Sequence, residues 1–117
     1  MADHGVSITW GEPKAGREKK ALDLFAEVSA SYDKSVANGK IESWDVVIFE
    51  STGTPPAGAI RIHGTREQVE EYVQSEEFLI PFQRASLVLN NVGMRRFFTG
   101  AALLEGMGQF AQVVDSL

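Results

Sequence analysis

The residues best suited to chemistry in this chain are a histidine, an aspartate and an arginine on one predicted β-hairpin. His63 and Arg61 alternate on its second strand, and Asp45 lies on its first. An Asp–His pair holds one imidazole tautomer and raises its basicity, which suits a general base. A neighbouring arginine is suited to bind a carboxylate or an enolate of a ligand. We therefore take His63 and Asp45 as candidate catalytic residues and Arg61 as a candidate ligand-binding residue.

The pairing of the hairpin decides which of its side chains meet. Its strands are predicted at Ile41–Glu50 and Gly58–Gly64, joined by a turn over Ser51–Ala57 that is rich in glycine and proline. A turn centred near Thr54 brings two aliphatic pairs onto one face, which we assign to the helices. These pairs are Ile48 with Ile60 and Val46 with Ile62.

The other face of the hairpin then collects the polar candidates. Asp45 is expected opposite His63, with Arg61 one pair away. Slipping the pairing by two residues keeps this face, whereas a slip by one would bury charges. The remaining side chains of this face are Ser43, Val47, Phe49 and Ala59.

The outer strands add polar groups to the same face. If Ile8 packs under the helices, Ser7 and Thr9 point the other way. One of Arg95 and Arg96 must join them, since neighbours on a strand point in opposite directions.

An apolar wall with a few convergent polar groups is typical of a small-molecule site. Besides Arg61, the candidate ligand-binding residues are Ser7, Thr9 and Phe49. The alternative is that the polar side chains form cross-strand pairs that stabilise a dimer or a solvated sheet face.

Periodicity places the helices. Apolar residues spaced by three and four predict a long helix over 21–36, which Gly39 stops because glycine accepts a left-handed conformation. Thr65 opens a second helix with a capping-box pattern. Pro81 predicts a break or a new start, with helix resuming over 82–89.

Further strands are predicted at 6–10 and 92–99. The order is therefore strand, helix, strand, strand, helix, strand, followed by one more helix. This order predicts a single domain over residues 1–117 with an α+β ferredoxin-like fold and a four-stranded antiparallel sheet. Its helices cover one face of the sheet, and the other face needs a partner.

The last helix lies beyond the ferredoxin-like unit and must bury its apolar stripe somewhere. Gly106 and Gly108 each cost roughly 1 kcal/mol inside a helix and allow close approach of another backbone. The helix packs either on its own subunit or at the dimer interface, where it would also close one end of the cleft; we favour the interface. The stripe is Leu103, Met107, Phe110, Val114 and Leu117.

Composition excludes several kinds of site. The 117 residues include 11 basic and 16 acidic side chains, for a net charge of −5, which disfavours nucleic acid and anionic membranes as partners. The chain has no cysteine, and its two histidines, His4 and His63, form no cluster, so we expect no metal or other cofactor. With no signal peptide at Met1–Gly5 and no long apolar run, we expect a cytoplasmic protein.

The chain resembles the dimeric α/β-barrel superfamily, in particular a small bacterial group of uncharacterised proteins. The resemblance rests on Gly16–Tyr32, Ile41–Glu50, Gly58–Gly64 and the Glu76-Glu77-Phe78 region before Val92–Thr99. It implies a homodimer in which two sheets pack face to face. The superfamily includes cofactor-free monooxygenases, haem-handling enzymes, isomerases and proteins of no known activity, so the fold sets no chemistry.

Three classes of function follow. The first is a homodimer that binds a small molecule in a cleft at the sheet face. The second is a cofactor-independent monooxygenase or isomerase in which His63 is the base and Arg61 stabilises an anion. The third is a structural or regulatory interaction module.

Overall fold

The protein has a four-stranded antiparallel sheet with helices on one face. The computed structural model describes residues 2–50 and 53–117, and the strand order across the sheet is β2-β3-β1-β4. The fold is the predicted ferredoxin-like α+β sandwich, with two helices between β3 and β4 and one after β4. The elements are β1 His4–Trp10, α1 Glu18–Ala37, β2 Ser43–Ile48, β3 Gly58–Gly64, α2 Arg66–Val73, α3 Glu76–Val88, β4 Gly93–Phe98 and α4 Gly100–Asp115.

The core lies between the sheet and the helices α1 to α3. Alternate residues of β1 and β3 point into it because strand side chains alternate between faces. The sheet contributes buried Val6, Ile8, Ile60 and Ile62. From the helices come Val28, Tyr32, Tyr72 and Phe78, and Phe78 is only 2% exposed.

Local sequence signals explain the ends of two helices. α1 is followed by Gly39 in a left-handed conformation, with φ of 73°. At the start of α2, the backbone N–H of Gln68 donates to the Thr65 hydroxyl over 3.1 Å. The backbone N–H of Thr65 donates to the Gln68 side chain over 2.8 Å. The predicted capping box is thus confirmed.

The predicted break at Pro81 is wrong, because α3 continues through this residue. A proline at this position forfeits the one backbone hydrogen bond that its N–H would donate to the carbonyl of Glu77. Phe78 and Phe82 stack on each other across the proline, with ring centroids 5.9 Å apart, and hold the two halves of the helix in line.

The pairing of the hairpin differs from the prediction by two residues. Val46 pairs with Ile60, and Ile48 pairs with Gly58. Glycine is required at position 58, because a Cβ there would lie 2.6 Å from the indole of Trp10. The face assignment survives, since an even shift keeps each side chain on its face. Within the predicted turn, residues 51 and 52 lie outside the described residues.

α4 projects from the body of the domain. The helix is 16 residues long and has no buried residue. The Cα radius of gyration is 16.1 Å, whereas a compact chain of this length has about 13 Å. The principal extents of 53, 37 and 22 Å show the same elongation. No helix among the described residues is long and apolar enough to cross a membrane.

Candidate functional site

The face of the sheet opposite the helices, called the open sheet face below, carries three rows of side chains. Strand pairing brings the candidates Ser7, Thr9, Asp45, Arg61 and His63 together on this face, as predicted. In the order β2, β3, β1 and β4, the rows are Ser43, His63, Gly5, Phe97; then Asp45, Arg61, Ser7, Arg95; then Val47, Ala59, Thr9, Gly93.

The predicted pairing of Asp45 with His63 is wrong, because the shift of the hairpin by two residues puts Asp45 opposite Arg61. The Nε and Nη2 atoms of Arg61 donate to the two carboxylate oxygens of Asp45 over 2.9 and 3.0 Å. These hydrogen bonds and the negative charge raise the pKa of the Arg61 guanidinium. Asp45 and Arg61 therefore satisfy each other's hydrogen-bonding groups, and the Asp45 carboxylate does not orient the His63 imidazole.

His63 lies instead in aromatic surroundings. Its ring meets the edge of Phe97, with centroids 5.3 Å apart and planes at 71°. Gly5 makes this contact possible, because a Cβ at Gly5 would lie 2.2 Å from the Phe97 ring. His63 has no carboxylate partner in the described part of the chain. Without the predicted Asp45 partner, nothing in the geometry of the described residues marks His63 as a general base.

The two arginines of β4 separate onto opposite faces. Arg96 faces the helices, where its Nη2 atom lies 3.7 Å from a carboxylate oxygen of Glu70 in α2. Arg95 is the one on the open sheet face, and it forms no ion pair within residues 2–50 and 53–117.

Phe49 lies apart from the other candidates. It follows the end of β2, its N–H donates to the carbonyl of Ala57 over 2.9 Å, and its side chain is about half exposed. It lines a second cavity beside the hairpin loop, together with Asn90 and Asn91. The hydrogen bond from Phe49 to Ala57 continues the register of β2 and β3 past Ile48, and the prediction that Phe49 shares the open sheet face with Arg61 stays a prediction.

An apolar cleft lies on the other side of the sheet. A cavity of about 510 Å³, called the helix-side cavity below, opens between α1, α3 and the sheet. None of Asp45, Arg61 and His63 lines it. Its walls are formed mainly by apolar side chains, among them Ile8, Trp10, Leu24, Phe25, Val28, Ile60, Phe82 and Leu89.

Small residues keep this cavity open. Ala21 of α1, Ala85 of α3, Ala57 and Gly11 all line it, so facing elements meet without large side chains that would fill the gap. The small side chains at these positions leave the space between α1, α3 and the sheet unfilled.

Three residues in the lining of the helix-side cavity carry a polar side-chain group: Trp10, Tyr32 and Glu18. No buried side-chain polar atom of the described residues lacks a hydrogen-bond partner. Burial raises the pKa of Tyr32, so its hydroxyl remains a neutral donor in physiological conditions. The lining of the cavity is thus almost wholly apolar.

Sequence periodicity identified the wall of this cavity but not the cavity itself. Ala21, Phe25, Val28 and Tyr32 share the apolar stripe of α1, which by itself predicts core. The signal that separates a cavity from a filled core is the small residue on each facing stripe, Ala21 and Ala85. Among the described residues, no group of histidine, aspartate and glutamate side chains is placed to hold a metal ion.

Comparison with known proteins shows the fold and no more. Neither a family model nor a curated protein matches the chain. Solved structures with the same fold include dimeric ferredoxin-like proteins of unknown function, in agreement with the resemblance expected from the sequence.

One such structure is from Jannaschia sp., with a TM-score of 0.64, 11% identity, and 82% of this chain covered against 98% of that chain. Another is from Bacteroides fragilis, with a TM-score of 0.58, 10% identity, and coverage of 82% and 96%. A third is SnoaB, a cofactor-independent oxygenase from Streptomyces nogalater, with a TM-score of 0.59, 9% identity, and coverage of 84% and 95%.

Proposed function

We propose that this protein binds an apolar small molecule in the helix-side cavity. The observation that carries the proposal is the volume of about 510 Å³ inside an almost wholly apolar wall. Ligand sites in proteins typically enclose roughly 300–1,000 Å³ and are lined mainly by apolar and aromatic side chains.

The polar groups of the cavity define the class of ligand. The lining is almost wholly apolar, and Trp10 and Tyr32 are its residues with side-chain donors, so the ligand is largely apolar and carries at most an acceptor oxygen, as a ketone or a quinone does. Glu18, which is exposed at the wall, disfavours an anion there because like charges repel each other. The ligand is accordingly neutral, largely apolar, and about the size of two or three fused rings.

We propose further that the protein is a homodimer formed through the open sheet face. Two of the solved structures with this fold are described as dimeric. The open sheet face lacks covering helices, and its third row, with Val47, Ala59 and Thr9, offers a flat and mainly apolar strip. In this proposal Asp45 and Arg61 form an intrachain pair within the interface and take no part in catalysis.

The enzymatic alternative has less support from the geometry. SnoaB, an oxygenase, shares the fold. His63, however, lies on the opposite side of the sheet from the helix-side cavity and has lost Asp45 as its partner. A ligand in the cavity would not reach the proposed base.

A fluorescence titration with N-phenyl-1-naphthylamine, a neutral apolar probe, tests the binding proposal. We expect saturable binding of one probe per chain to the wild-type protein. The variant Ala85→Leu fills part of the cavity and should weaken binding at least tenfold. The matched control Ala30→Leu adds the same atoms on an exposed position of α1 and should bind like the wild type.

Absence of saturable binding to the wild type would overturn the proposal. Equal affinity of the wild type, Ala85→Leu and Ala30→Leu would overturn it as well, because the probe would then be bound elsewhere. If probe binding fails while the protein is dimeric, the interaction module becomes the better interpretation.

A further inference from the structure

α4 presents more apolar surface than any other element. Leu104, Met107 and Phe110 are 72%, 60% and 69% exposed, and Leu103, Val113, Val114 and Leu117 are also exposed. Apolar residues at spacings of three and four form a seam that packs against another element in most proteins. The body of its own subunit covers almost none of this seam.

We infer that α4 is an arm that packs against a second copy of this chain. The inference rests on the proposed self-association, but not on the proposed ligand site. It goes beyond the sheet-to-sheet dimer because it assigns a second, separate contact to the C-terminal helix. The surface concerned, called the α4 seam below, consists of Leu103, Met107, Phe110, Val114 and Leu117.

The arm is fixed in its projecting direction. Its first turn is held by Asp3, whose carboxylate accepts from the N–H of Ala102 over 3.2 Å and whose carbonyl accepts from the N–H of Thr99 over 2.8 Å. Phe98 packs against Gly106, where a Cβ would lie 2.9 Å from the ring. These contacts end halfway along the helix. The second half therefore extends into solvent as a preorganised surface rather than a loose tail.

The area and the charge of the arm fit a second copy. A standard interface buries roughly 800 Å² on each partner, which is the order of area that seven exposed large apolar side chains provide. From residue 100 to 117 the chain has two acids, Glu105 and Asp115, and no basic residue. Helices that lie on membranes usually carry lysine and arginine on their polar face, so a lipid surface suits this arm poorly.

Two of the comparison structures are described as dimeric. An exposed apolar helix requires something to cover it, and in a twofold dimer each arm covers the other protomer, so every contact is made twice.

Sedimentation velocity over a range of protein concentrations tests the inference. Phe110→Glu places a charge in the α4 seam and disturbs no buried residue. We expect it to raise the dimer dissociation constant at least tenfold, with an unchanged circular dichroism spectrum. The control Gln112→Glu adds the same charge to the opposite side of α4 and should leave the constant unchanged. Val47→Glu tests the open sheet face separately.

Two results would overturn the inference. One is a Phe110→Glu variant that dimerises as tightly as the wild type; the result for Val47→Glu then shows whether the sheet-to-sheet dimer stands without the arm. The other is a wild-type protein that is monomeric. If that monomer also sediments with phosphatidylcholine vesicles and the Phe110→Glu variant does not, a lipid surface and not a second copy covers α4. N-phenyl-1-naphthylamine binding, measured on the same variants, reports the ligand site independently.

Discussion

Replacing Ala85 by leucine should stabilise the protein, and the sign of this effect tests whether the helix-side cavity is a real space. Ala85 lies on α3 in the cavity wall. Leucine adds three carbon atoms, and each buried CH₂ contributes roughly 0.8 kcal/mol. The upper limit is therefore about 2.4 kcal/mol, and imperfect contacts reduce the expected gain to about 1–2 kcal/mol. Helix propensity hardly changes, since alanine and leucine are both good helix formers.

A filled core responds in the opposite direction. Extra methylene groups forced into a well-packed site cost roughly 1–3 kcal/mol. Urea unfolding followed by circular dichroism, at one fixed protein concentration because the protein is proposed to dimerise, distinguishes the two cases. Ala30→Leu, on an exposed position, should change the free energy of unfolding by less than about 0.5 kcal/mol. A loss of stability by Ala85→Leu would refute the cavity and with it the ligand site.

Three further predictions concern the body of the domain and the root of α4. Lys40 donates a hydrogen bond to Glu77 and lowers the pKa of the Glu77 carboxyl below its ordinary value of 4.5. The pair therefore contributes stability above about pH 5, and this stability is lost as the pH falls through the folded-state pKa. Glu77→Gln should flatten the acid limb of the pH profile of the free energy of unfolding. Phe78→Ala should lower this free energy by about 3–5 kcal/mol in urea unfolding, while Leu87→Ala, at an exposed position, should cost less than about 0.5 kcal/mol. Asp3→Ala removes the side-chain cap of α4, so hydrogen exchange should speed up in its first turn, and unchanged exchange would show that this contact does not hold the arm.

Local signals in the sequence were sufficient for the order of elements. Alternation placed the strands, the three-and-four spacing placed α1, and Thr65 with Gln68 marked the start of α2. The open sheet face also followed, because the aliphatic residues of β2 and β3 leave only one arrangement that buries no charge. Each of these inferences uses residues that are close in sequence or directly paired.

The predictions that failed depend on contacts that no local pattern contains. The hairpin is shifted by two residues, which places Ile48 opposite Gly58, where the side chains of Trp10 and Ile48 take the space of a Cβ. That shift alone replaced the Asp45–His63 pair by Asp45–Arg61. Pro81 stays inside α3 because its aromatic neighbours hold the helix across it.

The helix-side cavity was missed for a related reason. An apolar stripe predicts which face of a helix is buried, but not whether the facing stripes fill the space between them. Ala21 and Ala85 lie on different helices, and only the fold brings both to one wall.

A crystal structure of the protein soaked with N-phenyl-1-naphthylamine tests the central claim most directly. We predict one probe per chain between α1 and α3, with Ala85 in van der Waals contact. Density for the probe only on the open sheet face near Arg61 and His63, or only along the α4 seam, would contradict the claim that the helix-side cavity is the binding site.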